Sequence, residues 1–231
     1  MFTNAVKSIH RGITSLAFEE VCLICDCKRE FLCNECGKNW LHKAKLIKGE
    51  AFPVYSKVPY DEVAAKVVLS AKESGLKQAK NLLVSALVET TLELLKSIEI
   101  EEERVELVPI PSSRTSQMRR GEDFIYQLTK LTHSKLISVA PLLDIHVKRI
   151  LLVTKKLRDQ SGLSEHERDL NLTGAFHADS KYRNTSQLII VDDVITTGST
   201  LREAYRALKE RNLTVIGAVT TCASQRRLLI R

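Results

Sequence analysis

The chain has 231 residues, which suits one medium α/β domain plus a small appendage, and its 44% hydrophobic and 27% charged residues are ordinary for a globular protein. The net charge of +7 indicates anionic partners, either phosphorylated small molecules or nucleic acid, or else a surplus that only aids solubility. No stretch approaches the roughly 20 apolar residues of a membrane span, and residues 1–20 lack a signal peptide's continuous apolar region, so we expect a cytoplasmic protein with reduced thiols.

The first twenty residues carry apolar side chains at helical spacing, and this pattern predicts a short amphipathic helix. Its apolar positions are Phe2, Val6, Ile9, Ile13 and Leu16. Such a stripe is typical of a packing surface rather than of a functional face.

Five of the six cysteines follow this helix and include two CxxC motifs, Cys22-x2-Cys25 and Cys33-x2-Cys36. Each motif places two thiolates around one metal ion, and the two together complete a closed tetrahedral site that leaves no position for water. We therefore predict a structural zinc ion, whose binding supplies the folding free energy of a segment too small for its own core. Iron–sulfur ligation is the alternative, and the sequence leaves open whether Cys27 replaces Cys25 as a ligand.

The remaining chain alternates between strand and helix patterns. Residues 37–57 are interpreted as a connector, and residues 60–95 as two helices separated by Gly75. We predict strands at residues 105–110, 136–140, 188–191 and 215–219, helices at 121–131 and 199–211, and a long polar loop at 155–183. Continuous apolar strands separated by helices indicate an α/β domain with a parallel sheet covered on both faces. We place this domain at residues 53–231 and the small zinc-binding module at residues 1–52.

The segment from Leu188 to Thr200 combines a buried strand, two adjacent carboxylates and a hydroxyl-rich turn. Open parallel sheets bind ligands at the carboxyl ends of their strands, where Asp192 and Asp193 are expected to lie. The turn offers backbone N–H groups, hydroxyls and a helix N-terminus to one phosphate, and its members are Thr196, Thr197, Gly198, Ser199 and Thr200. Because carboxylates repel phosphate, the aspartates are better suited to accept hydrogen bonds from vicinal sugar hydroxyls. The segment therefore predicts a sugar-phosphate site.

The loop that follows the strand at 105–110 begins at the carboxyl end of its strand, as the hydroxyl-rich turn at 196–200 does. Ser112, Ser113 and Arg114 are therefore expected to line the same crevice and to face a pyrophosphate group. Arg119 lies farther from the strand end, so we expect it to matter less for binding. The loop at 155–183 is longer than most structural connections, which makes it a candidate lid.

The order of hydrophobic strand, two acidic residues and Thr-Thr-Gly-x-Thr turn resembles the motif with which type I phosphoribosyltransferases bind 5-phosphoribosyl 1-pyrophosphate (PRPP). The resemblance implies that Asp192 and Asp193 contact the ribose 2′- and 3′-hydroxyls, and that residues 196–200 hold the 5′-phosphate. It also implies that Mg²⁺ binds together with PRPP, and that a nucleobase or amine serves as acceptor.

Nearly the whole chain resembles the ComF family of competence-associated proteins in its order of helix, paired CxxC motifs, connector and PRPP motif. The Pro-rich strand end and Arg-rich loop of that family have counterparts at residues 108–121, and the segment before its PRPP strand has one at residues 160–176. At residues 120–124 this chain has Arg-Gly-Glu-Asp-Phe where the family has Arg-Gly-Phe-Asn-Gln. The resemblance implies a zinc-binding N-terminus joined to a phosphoribosyltransferase domain.

Two functions follow from these resemblances. In the first, the domain is an enzyme that transfers a phosphoribosyl group from PRPP and releases pyrophosphate. The alternative is a non-catalytic PRPP sensor or scaffold that takes part in DNA uptake. The basic charge and the zinc module permit contacts with DNA-uptake proteins or single-stranded DNA. Aromatic residues total only 5%, however, so a stacking surface for single strands is not evident.

Overall fold

The computed structural model of the chain divides into two compact units, one that ends at Leu41 and one that begins at His42. The helix predicted over the first twenty residues lies, apart from Glu20, outside the residues that the structure describes, and the boundary predicted at residues 52 and 53 stays a prediction. The described residues are 20–28, 30–48, 50–98, 104–112, 121, 123–154, 172–183 and 186–224.

The larger unit is built around two β-sheets. Their strands are β1 (Lys45–Ile47), β2 (Val54–Pro59), β3 (Arg104–Pro109), β4 (Asp144–Val147), β5 (Leu151–Val153), β6 (Phe176–Ala178), β7 (Gln187–Ile195) and β8 (Val215–Ala223). The six-stranded sheet has the order β1-β2-β8-β7-β3-β4, and its neighbouring strands are parallel except for the edge pair β1 and β2. β5 and β6 pair as a separate antiparallel ribbon. The predicted α/β fold with a largely parallel sheet is confirmed.

The described helices of this unit lie between its strands. They are α1 (Glu62–Lys72), α2 (Lys77–Ser97), α3 (Phe124–Val139) and α4 (Ser199–Lys209). The side chain of Asp61 caps α1 by accepting a hydrogen bond from the amide of Ala64 at 2.8 Å. Gly75, with a φ of 65°, separates α1 from α2 as predicted. Within the described part of the chain, every helix is too short or too polar to cross a membrane.

Both faces of the sheet are covered, because successive residues of a strand point to opposite sides. On one side Leu188 and Ile190 of β7 pack in one cluster with apolar residues of α4 and of the β5–β6 ribbon. On the other side a Cβ at Gly217 of β8 would lie 2.8 Å from the side chain of Leu94 in α2. Gly217 therefore allows α2 to approach the sheet closely.

The strand predicted at residues 136–140 is wrong, because these residues form the end of α3 and the residue that caps it. The apolar run there is equally compatible with a helix. The buried residues Leu128, Thr132 and Leu136 are spaced four apart and continue one face of α3. Helical packing of this face overrides the strand pattern.

The predicted connector and the predicted long loop both contain strands. β1 and part of β2 lie inside the connector, where the buried Lys57 forms an ion pair with Glu89 of α2 at 2.6 Å. The other carboxylate oxygen of Glu89 accepts a hydrogen bond from the amide of Ala44 at 2.9 Å. These contacts hold Ala44 and Lys57 against α2 within the larger unit. β6 lies inside the predicted loop at 155–183.

Candidate functional site

The carboxyl end of β7 carries the predicted sugar-phosphate segment. β7 extends to Ile195, past the predicted strand end at Val191, so Asp192 and Asp193 lie inside the strand. Pro109, the last residue of β3, pairs with Val191 in parallel register, and β8 flanks β7 on its other side. The ends of three parallel strands therefore meet at one edge, where open sheets bind ligands.

Asp192 is a buried carboxyl that bonds to the backbone. Its Oδ1 accepts a hydrogen bond from the amide of Asp193 at 2.9 Å. Burial, and after it the negative charge of Asp193, raises the pKa of Asp192 well above its usual range. The adjacent carboxyls therefore carry two full charges less readily than two separated aspartates would.

Asp193, the second carboxyl, forms an ion pair with Lys72 that the motif alone does not predict. Its Oδ2 accepts a hydrogen bond from Nζ of Lys72 at 2.9 Å, and the two side chains are 10% and 28% exposed. Lys72 is the last residue of α1 and also lies over the ring of Phe124, 5.7 Å from its centroid. No local signal could have predicted this pair, because 121 positions separate its members.

Tyr60, which follows β2, lies near the same carboxylate. Its amide donates to the carbonyl of Ala223 at 2.7 Å, which fixes it at the carboxyl edge of the sheet. Burial, and then the charge of Asp193, raises the pKa of Tyr60, while Lys72 acts in the opposite direction. The site thus includes the ends of β2 and α1 in addition to the predicted segments.

The turn after β7 leads directly into α4. Gly198 is the N-cap of α4 with a φ of 81°, a left-handed conformation that favours glycine. The hydroxyl oxygens of Thr197 and Ser199 lie 2.6 Å apart, and Nη1 of Arg202 donates to the carbonyl of Thr197 at 2.9 Å. The first N–H groups of α4 and the positive end of its dipole therefore adjoin the predicted phosphate turn.

The loop after β3 is anchored to the start of α3. Ser112 donates from its Oγ to Oδ1 of Asp123 at 3.0 Å, whereas Ser113 and Arg114 lie outside the described residues. Asp123 is the N-cap of α3, and its Oδ2 accepts a hydrogen bond from Arg149 at 3.4 Å. In the segment that departs from the family pattern, Asp123 thus starts a helix and holds Ser112.

The cysteine cluster of the smaller unit is formed by two turns of the same kind. The amide of Asp26 donates to the carbonyl of Cys22 at 3.0 Å, and the amide of Gly37 donates to that of Cys33 at 2.7 Å. A Cβ on Gly37 would lie 3.1 Å from the Cys33 carbonyl oxygen, which explains the glycine in the second turn. The amide of Cys33 also points at the sulfur of Cys22 at 3.5 Å. The two CxxC motifs therefore face each other.

Sulfur atoms from both turns converge, and those that lie within 4.8 Å of one another belong to Cys22, Cys25, Cys27 and Cys33. The sulfurs of Cys25 and Cys33 are 3.8 Å apart, which matches the edge of a tetrahedron with metal–sulfur bonds of about 2.3 Å. Cys36, the fourth predicted ligand, interacts with the thiols of Cys33, Cys25 and Cys22. The cluster can hold a thiolate-binding metal such as zinc.

The thiols of the cluster differ in pKa. Burial raises the pKa of Cys22, but backbone N–H groups from Cys33, Cys25 and Ile24 together outweigh burial and lower it to about 6. Hydrogen bonds with the thiols of Cys25 and Cys33 raise the pKa of Cys27 to about 12. Because metal binding requires thiolates, these shifts bring Cys22 closer to its metal-binding form than Cys27.

Several solved phosphoribosyltransferases are similar to the chain at low identity. Orotate phosphoribosyltransferase from Aeropyrum pernix is 13% identical, with coverage of 81% of this chain and 77% of that chain and a TM-score of 0.35. Adenine phosphoribosyltransferase from Trypanosoma brucei is 9% identical, with coverage of 80% and 88% and a TM-score of 0.41. TM-scores of this size do not establish a shared fold by themselves.

Sequence comparison is more specific. Residues 128–229 match the family model of the phosphoribosyl transferase domain. The chain is 38% identical over 109 residues to Competence protein F from Haemophilus influenzae, and this alignment covers 45% of the chain and 44% of that protein. The chain thus spans less than half the length of this relative. The domain match confirms the predicted phosphoribosyltransferase-type domain, and nearly half of the chain is similar to Competence protein F.

Proposed function

We propose that the chain binds PRPP at the carboxyl edge of the sheet, with the ribose hydroxyls on Asp192 and Asp193 and the 5′-phosphate in the turn 196–200. The observation that carries this proposal is a buried strand that delivers two neighbouring carboxylates next to a glycine turn at the start of a helix. Carboxylates accept hydrogen bonds from sugar hydroxyls, and helix N-termini donate them to phosphate.

The pyrophosphate group is proposed to face the loop after β3, with Ser112, Ser113 and Arg114 as its contacts. Ser112 supports this placement, because it lies just beyond Pro109, which pairs with β7. Mg²⁺ prefers oxygen ligands and is commonly held by one or two carboxylates together with substrate phosphates, a donor set that the acidic pair and PRPP supply. When bound, Mg²⁺ would neutralise charge on the leaving pyrophosphate.

The proposed activity is transfer of the phosphoribosyl group to a nucleobase or amine. The acceptor forms a bond to C1 of the ribose as the bond from C1 to pyrophosphate breaks, through an oxocarbenium-like state. The residues of the site would position PRPP and stabilise developing charge. Neither aspartate is proposed as a general base: the activated pyrophosphate leaves without a general acid, and the N–H proton of the acceptor passes to the released pyrophosphate or to water.

Pyrophosphate release tests the activity directly. The chain is incubated with PRPP, Mg²⁺ and each of a series of nucleobases and amines, and free pyrophosphate is measured against reactions without acceptor. We expect release with at least one acceptor, and we expect the variant with both Asp192→Asn and Asp193→Asn to lose it. PRPP binding without release for any acceptor would instead favour a sensor or scaffold.

The sensor or scaffold is the second candidate, and the match to Competence protein F is the observation that favours it. In this case PRPP binding would regulate contacts with DNA-uptake proteins or single-stranded DNA. Titration of labelled single-stranded DNA with and without PRPP tests it, and an affinity that does not change with PRPP would contradict it.

The cysteine cluster is proposed to bind one structural zinc ion in the reducing cytoplasm. The proposed ligands are Cys22, Cys25, Cys33 and Cys36. A site of four thiolates has no open coordination position, so its role is to order the smaller unit rather than to catalyse a reaction.

A further inference from the structure

Lys72 lies at the site although it belongs to α1, and not to the phosphate turn or to the loop after β3. The end of α1 brings its ammonium to 2.9 Å from Oδ2 of Asp193, and the Phe124 ring lies on another side, 5.7 Å away. Two fixed neighbours thus hold the charge in one place. The side chain is nevertheless 28% exposed, so a ligand can reach it.

The charges at this edge of the sheet favour a protein cation in addition to the Mg²⁺ proposed above. PRPP brings a pyrophosphate group to C1 of the ribose, next to the carboxyls proposed to hold the sugar hydroxyls. Anions at such short range repel each other strongly in a partly buried site. Among the described residues, Lys72 is the basic side chain that touches the acidic pair.

We propose that Lys72 is a PRPP-binding residue whose ammonium donates hydrogen bonds to the pyrophosphate group while it remains beside Asp193. The inference rests on the proposed PRPP function and adds a contact from α1 to it. A lysine ammonium has three donors in a rotatable arrangement, so it can bridge a carboxylate and a phosphate oxygen at once. The bridge would place positive charge between the ribose-binding and pyrophosphate-binding parts of the site.

A simple counter-ion role for Lys72 makes a different prediction. If Lys72 served only to orient and neutralise Asp193, its loss would affect every ligand that carries the ribose hydroxyls to a similar extent. If it binds pyrophosphate, its loss should affect PRPP and spare ribose 5-phosphate, which has the same ribose and 5′-phosphate but no pyrophosphate.

The test is calorimetry of PRPP and of ribose 5-phosphate, both with Mg²⁺, on the full chain and its variants. We expect Lys72→Met and Lys72→Gln to weaken PRPP binding about tenfold, the effect of one lost charge-assisted hydrogen bond, and to change ribose 5-phosphate binding by less than about twofold. Lys66→Met is the matched control, because Lys66 is exposed on the same helix. It should leave both affinities unchanged.

The outcomes separate this inference from the proposed function. Wild-type protein that binds neither ligand would overturn both. Wild-type protein that binds PRPP, with Lys72 variants that bind it equally well or that lose both ligands equally, would overturn the role of Lys72 alone. A circular dichroism spectrum and a melting temperature for each variant exclude misfolding as the cause of a loss.

Discussion

The cysteine cluster and the parallel sheet are ordered by different forces. Over residues 20–41 the described chain forms turns, an isolated bridge between Val21 and Lys28, and a short 3-10 helix at Lys38–Leu41. The sheet instead encloses strand residues such as Ile189 and Ile190, which are fully buried. We therefore expect the first region to depend on its thiols and a bound ion. The second depends on burial of apolar area.

Metal removal is expected to have the largest effect, and only on the first region. Structural zinc contributes about 10–16 kcal/mol of apparent binding free energy in small zinc modules, so a strong chelator should unfold the cysteine cluster. Trp40, the only tryptophan, is buried and belongs to the smaller unit, so its fluorescence should shift to longer wavelength. The far-UV circular dichroism of the larger unit should change little.

The control for this experiment is the cysteine that lies outside the cluster. Cys222 is buried in β8, and burial raises its thiol pKa to about 12, so Cys222→Ala should leave the metal content unchanged at about one zinc per chain. Elemental analysis gives this content. A metal-free protein whose Trp40 is still buried would contradict the comparison, as would loss of the larger unit's cooperative unfolding on chelation.

Replacement of single cysteines tests which thiols bind the metal in the cysteine cluster. We expect Cys36→Ala to weaken zinc binding more than Cys27→Ala, because the bond from Gly37 to the Cys33 carbonyl shapes a CxxC turn around Cys36. Competition with a chromogenic zinc chelator measures both affinities. A larger loss for Cys27→Ala would make Cys27 the fourth ligand, in agreement with the short distances from its sulfur to three others.

The acidic pair tests the second region at its ligand-binding edge. Replacement of Asp192 and Asp193 by Asn keeps hydrogen-bonding capacity and removes the negative charge. Charge-assisted hydrogen bonds are about twice as strong as neutral ones, so binding of PRPP with Mg²⁺ should weaken by about 1–3 kcal/mol in total. Binding of inorganic phosphate at the turn 196–200 should persist or tighten, because the nearby repulsion is gone.

Calorimetry with PRPP and with inorganic phosphate decides whether the aspartates bind the ribose or only stabilise the turn. If the aspartates only organise the turn, the double variant should lose phosphate and PRPP to the same extent. PRPP binding that does not change would remove the central argument for the ribose site. The predicted split between the two ligands would support it without deciding whether catalysis occurs.

The parts of the fold that could be predicted are those whose signals are local. The apolar runs at 188–191 and 215–219 predicted β7 and β8, and the spacing over 60–95 predicted two helices that break at Gly75. The run at 136–140 was misread, because an apolar segment of that length fits a strand or a buried helix end. The edge strand β1 could not be predicted, since three residues are too few to show the period of a strand.

The candidate site divides in the same way. A contiguous motif predicted the turn after β7 and the acidic pair, so their positions at a strand end could be expected. The positions of Lys72 and Tyr60 could not be predicted, because these residues belong to distant segments that contact the acidic pair only in the folded chain. Asp123 carries a local signal, an acidic residue just before an apolar helix start, and attention to helix capping would have found it.

An ion pair on α4 between the buried Glu203 and the partly exposed Arg206 gives the smallest expected effect and tests what stabilises the larger unit beyond apolar burial. Both carboxylate oxygens of Glu203 accept hydrogen bonds from Arg206 at 2.8 Å, and Oε1 also accepts one from the amide of Phe176 at 3.2 Å. Arg206 in turn donates to the carbonyl of Phe176 at 2.9 Å, so the pair joins α4 to β6. Burial raises the pKa of Glu203, but the hydrogen bonds from Arg206 and Phe176 outweigh it and lower the pKa overall.

Because the pKa of Glu203 is lower in the folded state, its stabilising effect is complete above the pKa of the unfolded state and is lost as pH falls through the folded value. We expect Glu203→Gln to reduce the free energy of unfolding by about 1–2 kcal/mol at pH 7, a value discounted for the partial exposure of Arg206. The difference from wild type should shrink in acid. Glu210→Gln is the matched control, because Glu210 pairs with the same arginine but is 64% exposed, so its loss should cost less than about 0.5 kcal/mol. Urea unfolding at several pH values measures both variants, and equal losses for the two would show that burial of Glu203 adds nothing to the stability of the larger unit.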